Sequence, residues 1–310
     1  MIAATAIALT GSLATSASAA PSESELTKKI NAASNQLEDI TESYNKLNID
    51  LKKTVADQRA LAASLAPAKA KLQVASAQVN TIAAASYKQG RIGPMTAVLG
   101  GGQDGLMDRM TYLDQITRSN QRDIDTFTET TQTFAERQAA LKATQAKEQA
   151  QLRELAARKS RIESDIEKLK KLRTAAYGRA QEPGKRFTGK IPQVSGSAGV
   201  AVRFAYNQIG KPYVFGSGGP DSYDCSGLTS AAWAAAGKSL PHNARAQYGV
   251  VTHIGREDLE PGDLVFYRSL GHVGIYVGND RIIDAPRQGE PVDERSINRG
   301  MSITGYGRVT

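Results

Sequence analysis

Asp224-Cys225-Ser226-Gly227-Leu228-Thr229 holds the only cysteine in 310 residues. It leads into Ser230-Ala231-Ala232-Trp233-Ala234-Ala235-Ala236, an Ala-rich run that predicts a helix ending at Gly237. A thiol at a helix N-terminus sits at the positive end of the helix dipole, which favours the nucleophilic thiolate. The competing reading is a small buried hydrophobe, since free cysteine is among the most buried residue types. The surrounding sequence has to decide between them.

Downstream, Leu259-Glu260-Pro261-Gly262-Asp263 predicts a turn. Strands are then expected over residues 264–267, 272–277 and 281–285. Short turns between successive strands imply an antiparallel meander, and a helix ahead of a meander is an α+β arrangement. Of the three histidines, His242 and His253 fall in loop-like stretches and read as solvated surface residues. His272 opens a strand of alternating pattern. Val273, Ile275 and Val277 are expected to face the core, with His272, Gly274 and Tyr276 on an open face suited to proton transfer. A three-residue turn pairing Val277 with Arg281 sets Gly274 across from Asp284, which places Asp284 diagonally beside His272. A one-residue slip would put Asp284 on the other face. Cys225, His272 and an orienting Asp284 suggest nucleophilic acyl transfer, with the Cys225 backbone N–H meeting the oxyanion. One cysteine and scattered histidines make no ligand cluster, so no metal and no cofactor is expected.

Upstream, residues 198–310 have the composition of a compact mixed domain that starts with a short amphipathic helix over 200–209. Residues 178–197, rich in Gly and Pro, read as a flexible linker. Before them the pattern changes to heptads. Ile30, Leu37, Tyr44, Leu51, Leu65, Leu72 and Val79 share one position, and Leu26, Ala33, Ile40, Leu47, Leu61, Ala68, Ala75 and Ile82 share the other. Pro67 predicts a kink or break. A second run has Leu106, Leu113, Phe127, Phe134, Leu141, Leu155, Ile162 and Leu169 at one position, with Met110, Ile124, Leu152 and Ile166 at the other. Glycines and Pro94 separate the runs, so residues 20–177 are expected to form an antiparallel helical hairpin; a parallel dimer of rods is the alternative. Spacing, docking or covering an active site are its plausible roles, and the apolar tip Met95-Thr96-Ala97-Val98-Leu99 is the candidate docking point.

Residues 2–13 are apolar, and Ala17-Ser18-Ala19 before Ala20-Pro21 fits an A-x-A cleavage site. Residues 1–19 are therefore expected to be a signal peptide, with its basic start in a longer form, and the mature chain to be exported. In an oxidising compartment a lone cysteine is an intermolecular link or a reactive thiol. Net charge is +8, with 40% hydrophobic and 23% charged residues, so an anionic partner is plausible. No nucleic-acid signature accompanies the charge, which favours an anionic wall polymer or a solvated basic surface over nucleic acid.

Gly210-Lys211-Pro212-Tyr213-Val214-Phe215-Gly216, Asp224-Cys225-Ser226-Gly227-Leu228, Leu240-Pro241, Pro261-Gly262-Asp263-Leu264-Val265-Phe266 and Gly271-His272-Val273-Gly274-Ile275-Tyr276-Val277-Gly278 together resemble the NlpC/p60 family of cell-wall cysteine peptidases. The resemblance covers about residues 198–310. It implies a papain-like α+β core and hydrolysis of peptidoglycan stem peptides, typically between D-glutamate and meso-diaminopimelate. Cys225 is then the nucleophile and His272 the base, and Tyr213, Asp224 and Ser226 line the substrate groove. Two positions depart from the family pattern. Asp284 stands where the family more often has His, and His242 follows the Leu-Pro pair where Arg is common. The hairpin is similar to the coiled-coil regions of division-associated wall hydrolases, which implies docking to an FtsEX-type membrane complex. The expected protein is thus a secreted, wall-associated endopeptidase regulated by its coiled coil. The alternatives are an amidase or acyltransferase on the same Cys-His scaffold, or a non-catalytic wall-binding scaffold.

Overall fold

The computed structural model describes residues 22–89 and 105–310. The expected signal peptide at 1–19 and the Met95–Leu99 tip lie outside the described residues. Two compact units divide the chain: Glu42–Arg161, and Met1–Thr41 together with Ile162–Thr310. Among the described residues, no helix is long and apolar enough to cross a membrane.

The Glu42–Arg161 unit is built from stretches of two long helices, α1 (Glu23–Gln89) and α2 (Leu106–Tyr177). Arg158 reaches Ser43, and the Arg137 guanidinium donates to the Ser64 carbonyl at 3.1 Å. Partner numbers rise on one helix as they fall on the other, so the pair is antiparallel. Ala68, Ala75 and Leu155 are the buried apolar seam residues here, as the heptads predict. The second heptad position of α2 is covered less than expected: Met110, Ile124 and Leu152 are 53%, 40% and 48% exposed. In a two-helix pair each seam side chain is covered by one neighbouring helix only, which leaves these apolar residues part-exposed. Pro67 also departs from expectation, lying inside α1 without ending it.

In the other unit, Ile30, Leu37, Ile162 and Leu169 from the ends of the two helices are each no more than 2% exposed. The remainder is an α+β domain. Helix α3 (Gly196–Gln208) buries Val202, Ala205 and Tyr206, as its 3.6-residue spacing predicts. Helices α4 (Cys225–Ala235) and α5 (Ala244–Tyr248) follow. The strands are β1 (Thr252–Ile254), β2 (Leu264–Tyr267), β3 (His272–Gly278), β4 (Arg281–Asp284), β5 (Asp293–Ser296) and β6 (Ile303–Arg308). They form one antiparallel sheet in the order β1-β6-β2-β3-β4-β5. Helices α3 and α4 pack on one face around Leu264, Phe266, Val273 and Ile275. A smaller cluster of Val265, Tyr267, Tyr276, Ile282 and Ile297 fills the other. The second face of β3 is therefore not open.

Residues 178–195 carry neither helix nor strand, yet they are not a free linker. Phe187 stacks obliquely on Tyr206, with centroids 4.7 Å apart, and Ile191 packs on the core. Arg173, 2% exposed, donates to the carbonyls of Ala180 (3.1 Å) and Gly289 (3.0 Å) and to Glu182 (3.0 Å), tying the end of α2 to this segment and to the loop after β4. Apolar residues between the glycines, invisible as a pattern, do the anchoring.

The β3–β4 turn differs in detail from the three-residue expectation. Gly278 pairs with Arg281, leaving the two-residue turn Asn279-Asp280, both with φ near +50° (52° and 53°). That is the left-handed pair a tight hairpin takes. A one-residue irregularity at Val277 then restores the Ile275–Ile283 pairing. Continuing that register sets Gly274 across from Asp284, as the longer turn would have done.

Candidate active site

Helix α4 begins at Cys225 because Asp224 caps it. Asp224 has extended backbone, and its carboxylate accepts from the Gly227 N–H at 2.7 Å. Gly227 has to be glycine: a Cβ there would lie 2.2 Å from the Ser217 carbonyl oxygen. The cap thus places Cys225 in the first turn, at the positive end of the dipole, and it is 1% exposed. The Asp224 carboxylate also accepts from the Ser226 hydroxyl (3.3 Å) and lies 2.7 Å from His242 Nε2. His242 is therefore not a free surface residue but a neighbour of the nucleophile's cap. His253 does sit at the surface, stacked on Tyr248.

Helix α4 lies across β3 and β4. The side chains of His272 and Asp284 on those strands are completely buried, and His272 Nε2 stands 2.8 Å from Asp284 Oδ2. A carboxylate only accepts, so Nε2 carries the proton and the neutral ring keeps its lone pair on Nδ1. Nδ1 makes no hydrogen bond among the described residues. Burial, followed by the charges of Arg299, Arg268, Arg295 and Arg287, holds the His272 pKa well below its usual value, so the ring is a neutral base.

Two arginines converge on Asp284. Arg295 donates to Oδ1 at 3.0 Å, and Arg299 contacts Oδ2, the oxygen that also accepts the His272 Nε2–H hydrogen bond. Arg299 consequently lies 3.5 Å from His272 Nε2, two donors sharing one acceptor. Burial lowers the Arg299 pKa, while Glu38, Tyr267 and Cys225 draw it back up, which places the thiol within electrostatic reach of the same guanidinium.

Of the three expected residues, His272 and Asp284 are brought together on adjacent strands, and Cys225 stands at the start of the helix packed on those strands. The groove residues are more enclosed than the resemblance suggests: Tyr213, Asp224 and Ser226 are 2%, 0% and 0% exposed. Tyr213 is built into the backbone framework, bridging Tyr223 and accepting no place at an open surface. Three residues near the triad left no signal in the sequence. Arg295 and Arg299 sit in a charged stretch without pattern. Glu38, on the polar side of a heptad, places Oε1 3.6 Å from His272 Nδ1 while its other oxygen contacts Arg268. Burial raises the Glu38 pKa to about 8 against the opposing pull of Arg268, Arg299 and Arg287.

A cysteine at a capped helix start, on a helix packed against an antiparallel sheet that carries a buried histidine–carboxylate pair, defines a papain-like α+β domain. Residues 210–309 match the NlpC/P60 family model, so this part of the chain is an NlpC/P60 domain. A probable endopeptidase p60 of Listeria seeligeri is 40% identical over 109 residues, 34% of this chain and 21% of that protein. The chain thus spans about a fifth of the length of that relative. A probable endopeptidase of Mycobacterium bovis is 28% identical over 344 aligned positions, covering 91% of this chain and 88% of that one. The solved NlpC/p60 domain of the peptidoglycan hydrolase SagA is 31% identical, with 36% of this chain and 98% of that one covered and a TM-score of 0.34.

Proposed function

We propose that the chain is a cysteine-type peptidoglycan endopeptidase. The observation that carries this reading is the His272 ring, buried and neutral, with Nε2–H on Asp284 and the Nδ1 lone pair unbonded. Nδ1 takes the Cys225 thiol proton, and the thiolate attacks the peptide carbonyl. N–H groups at the start of α4 stabilise the oxyanion. The imidazolium then protonates the leaving amine, and water hydrolyses the thioester with His272 again as base. The basic net charge suits an anionic wall polymer. The bond is taken from the resemblance to be D-glutamate–meso-diaminopimelate. Digestion of purified peptidoglycan by the wild-type chain and by Cys225→Ala, with mass analysis of products, tests this. Activity surviving in Cys225→Ala, or a cut at the sugar–alanine amide, overturns it.

Glu38 beside Nδ1 supports the further reading that the N-terminal helices hold the enzyme inactive until a partner moves them. Export by the 1–19 segment, location at the wall in cell separation, and an FtsEX-type membrane complex as partner complete this reading. Met107 and Tyr112, 76% and 65% exposed near the start of α2, support docking there. Unchanged binding to such a complex after Met107→Asp and Tyr112→Asp would count against it.

A further inference from the structure

Arg268 begins a turn in which three successive non-glycine residues are left-handed: Arg268, Ser269 and Leu270 have φ of 50°, 52° and 73°. Such backbone is disfavoured and persists only where the surroundings impose it, and it clusters at ligand clamps. Here the Arg268 N–H is tied to the Ser302 carbonyl at 2.9 Å, and Arg245 donates to the Ser269 carbonyl at 2.8 Å. The turn aims the Arg268 side chain at α1. Its Nη1 contacts Glu38 Oε2, and its Nη2 donates to Asp39 Oδ1 at 2.7 Å and to the Asn35 carbonyl at 2.8 Å. The Glu38 carboxyl therefore bridges Arg268 and the ring of His272, whose Nδ1 is 3.6 Å from the second oxygen.

A peptide whose carbonyl is to be attacked beside His272 has to displace Glu38. Its departure uncovers a guanidinium that loses its contacts with the Glu38 carboxyl and the Asp39 carboxylate at once. A guanidinium uncovered in this way offers its planar donor pair to a carboxylate of the incoming ligand in place of the groups on α1. Resting on the hydrolase reading, we propose that Arg268 is a substrate-binding residue for a free carboxylate of the peptide, next to the scissile bond, and that Glu38 and Asp39 occupy this subsite as an internal mimic. The substrate class is then a peptide with an unmodified carboxylate close to the bond cut. A carboxamide at that position offers one acceptor oxygen and no charge, and it binds more weakly.

The test uses the full chain carrying Glu38→Ala and Asp39→Ala, which removes the mimic. Two synthetic stem peptides are compared, identical except for one carboxylate converted to carboxamide. In this background Arg268→Ala is expected to raise KM for the carboxylate peptide by roughly 10- to 100-fold and to leave the carboxamide peptide nearly unchanged, with Arg268→Lys partly restoring the preference. Equal effects of Arg268→Ala on both peptides overturn the subsite while leaving the hydrolase reading standing. Failure of the parent variant to cut either peptide overturns the hydrolase reading. Binding of the two peptides to its Cys225→Ala form then still decides the subsite, and equal affinities overturn it.

Discussion

Gly274 stands across from Asp284, and the room left by its missing side chain lets the Asp284 carboxylate reach back to His272. A Cβ on Gly274 would lie 3.2 Å from the Asp284 Cβ and 3.0 Å from Ile282 Cδ1. Gly274→Ala should therefore shift Asp284 by a few tenths of an ångström and loosen the His272 bond. Peptidoglycan hydrolysis is expected to fall about tenfold or more, because small misplacements of catalytic groups are expensive, while the melting temperature changes little. A variant as active as wild type would show that Asp284 does not have to hold the ring.

Arg299 is the cation acting most strongly on His272 after burial itself. Removing it makes the imidazolium less unfavourable, so the His272 pKa rises and the base becomes protonated at higher pH. Arg299→Gln should shift the acidic limb of the kcat/KM profile to higher pH, with Arg299→Lys lying between it and wild type. Titration of the His272 ring by NMR checks the same shift without turnover. Coincident profiles for all three would remove Arg299 from the tuning of the base.

Glu38 gives the helix contact a pH dependence of definite sign. Its pKa rises from 4.5 to about 8 on burial. Between those values the folded chain keeps a proton that the unfolded chain has lost, so stability falls as pH rises. His272 acts in the opposite sense below 6.5, where the unfolded chain gains a proton that the buried ring refuses. From pH 6.5 to 8 the Glu38 effect stands without that opposition. Wild type should lose about 2 kcal/mol of stability across this interval, and Glu38→Gln should be flatter. Parallel curves from denaturant titrations at several pH values would refute the assignment.

Arg173 and Arg256 offer a contrast between buried and exposed arginines. Arg173 has a 2% exposed side chain and three close acceptors, whereas Arg256 pairs with Asp280 at 46% and 65% exposure. Arg173→Ala should cost about 2–4 kcal/mol by stranding the Ala180 carbonyl, removing one of the two donors to the Gly289 carbonyl and leaving a void. Arg256→Ala should cost well under about 1 kcal/mol. Urea unfolding of both variants measures the difference, and comparable losses would mean that the tie to residues 180 and 289 is not structural.

Periodicity made much of the fold legible. Ile30, Leu37, Ile162 and Leu169 are buried where the heptads put them, and Val202, Ala205 and Tyr206 line the inner face of α3. Of the three strands that escaped notice, β5 and β6 have no such pattern. β5 reads Asp-Glu-Arg-Ser and lies at the sheet edge, and β6 carries Gly305 and Gly307 because Tyr248 and Val251 crowd against it. Both are strands by pairing rather than by propensity, which local sequence does not report.

Sequence alone determined the chemistry available to this protein. A single cysteine at the start of an Ala-rich helix, a histidine at a strand start and an aspartate one hairpin away are all set by short-range pattern, since helix propensity, alternation and turn length are local matters. Only tertiary structure decided the environment of those groups. It closed the second face of β3, brought Arg295 and Arg299 onto Asp284, and laid Glu38, 234 positions before His272, against the base. Such contacts depend on how distant elements pack, and charged residues on a helix or loop carry no periodic mark of the partner they will meet.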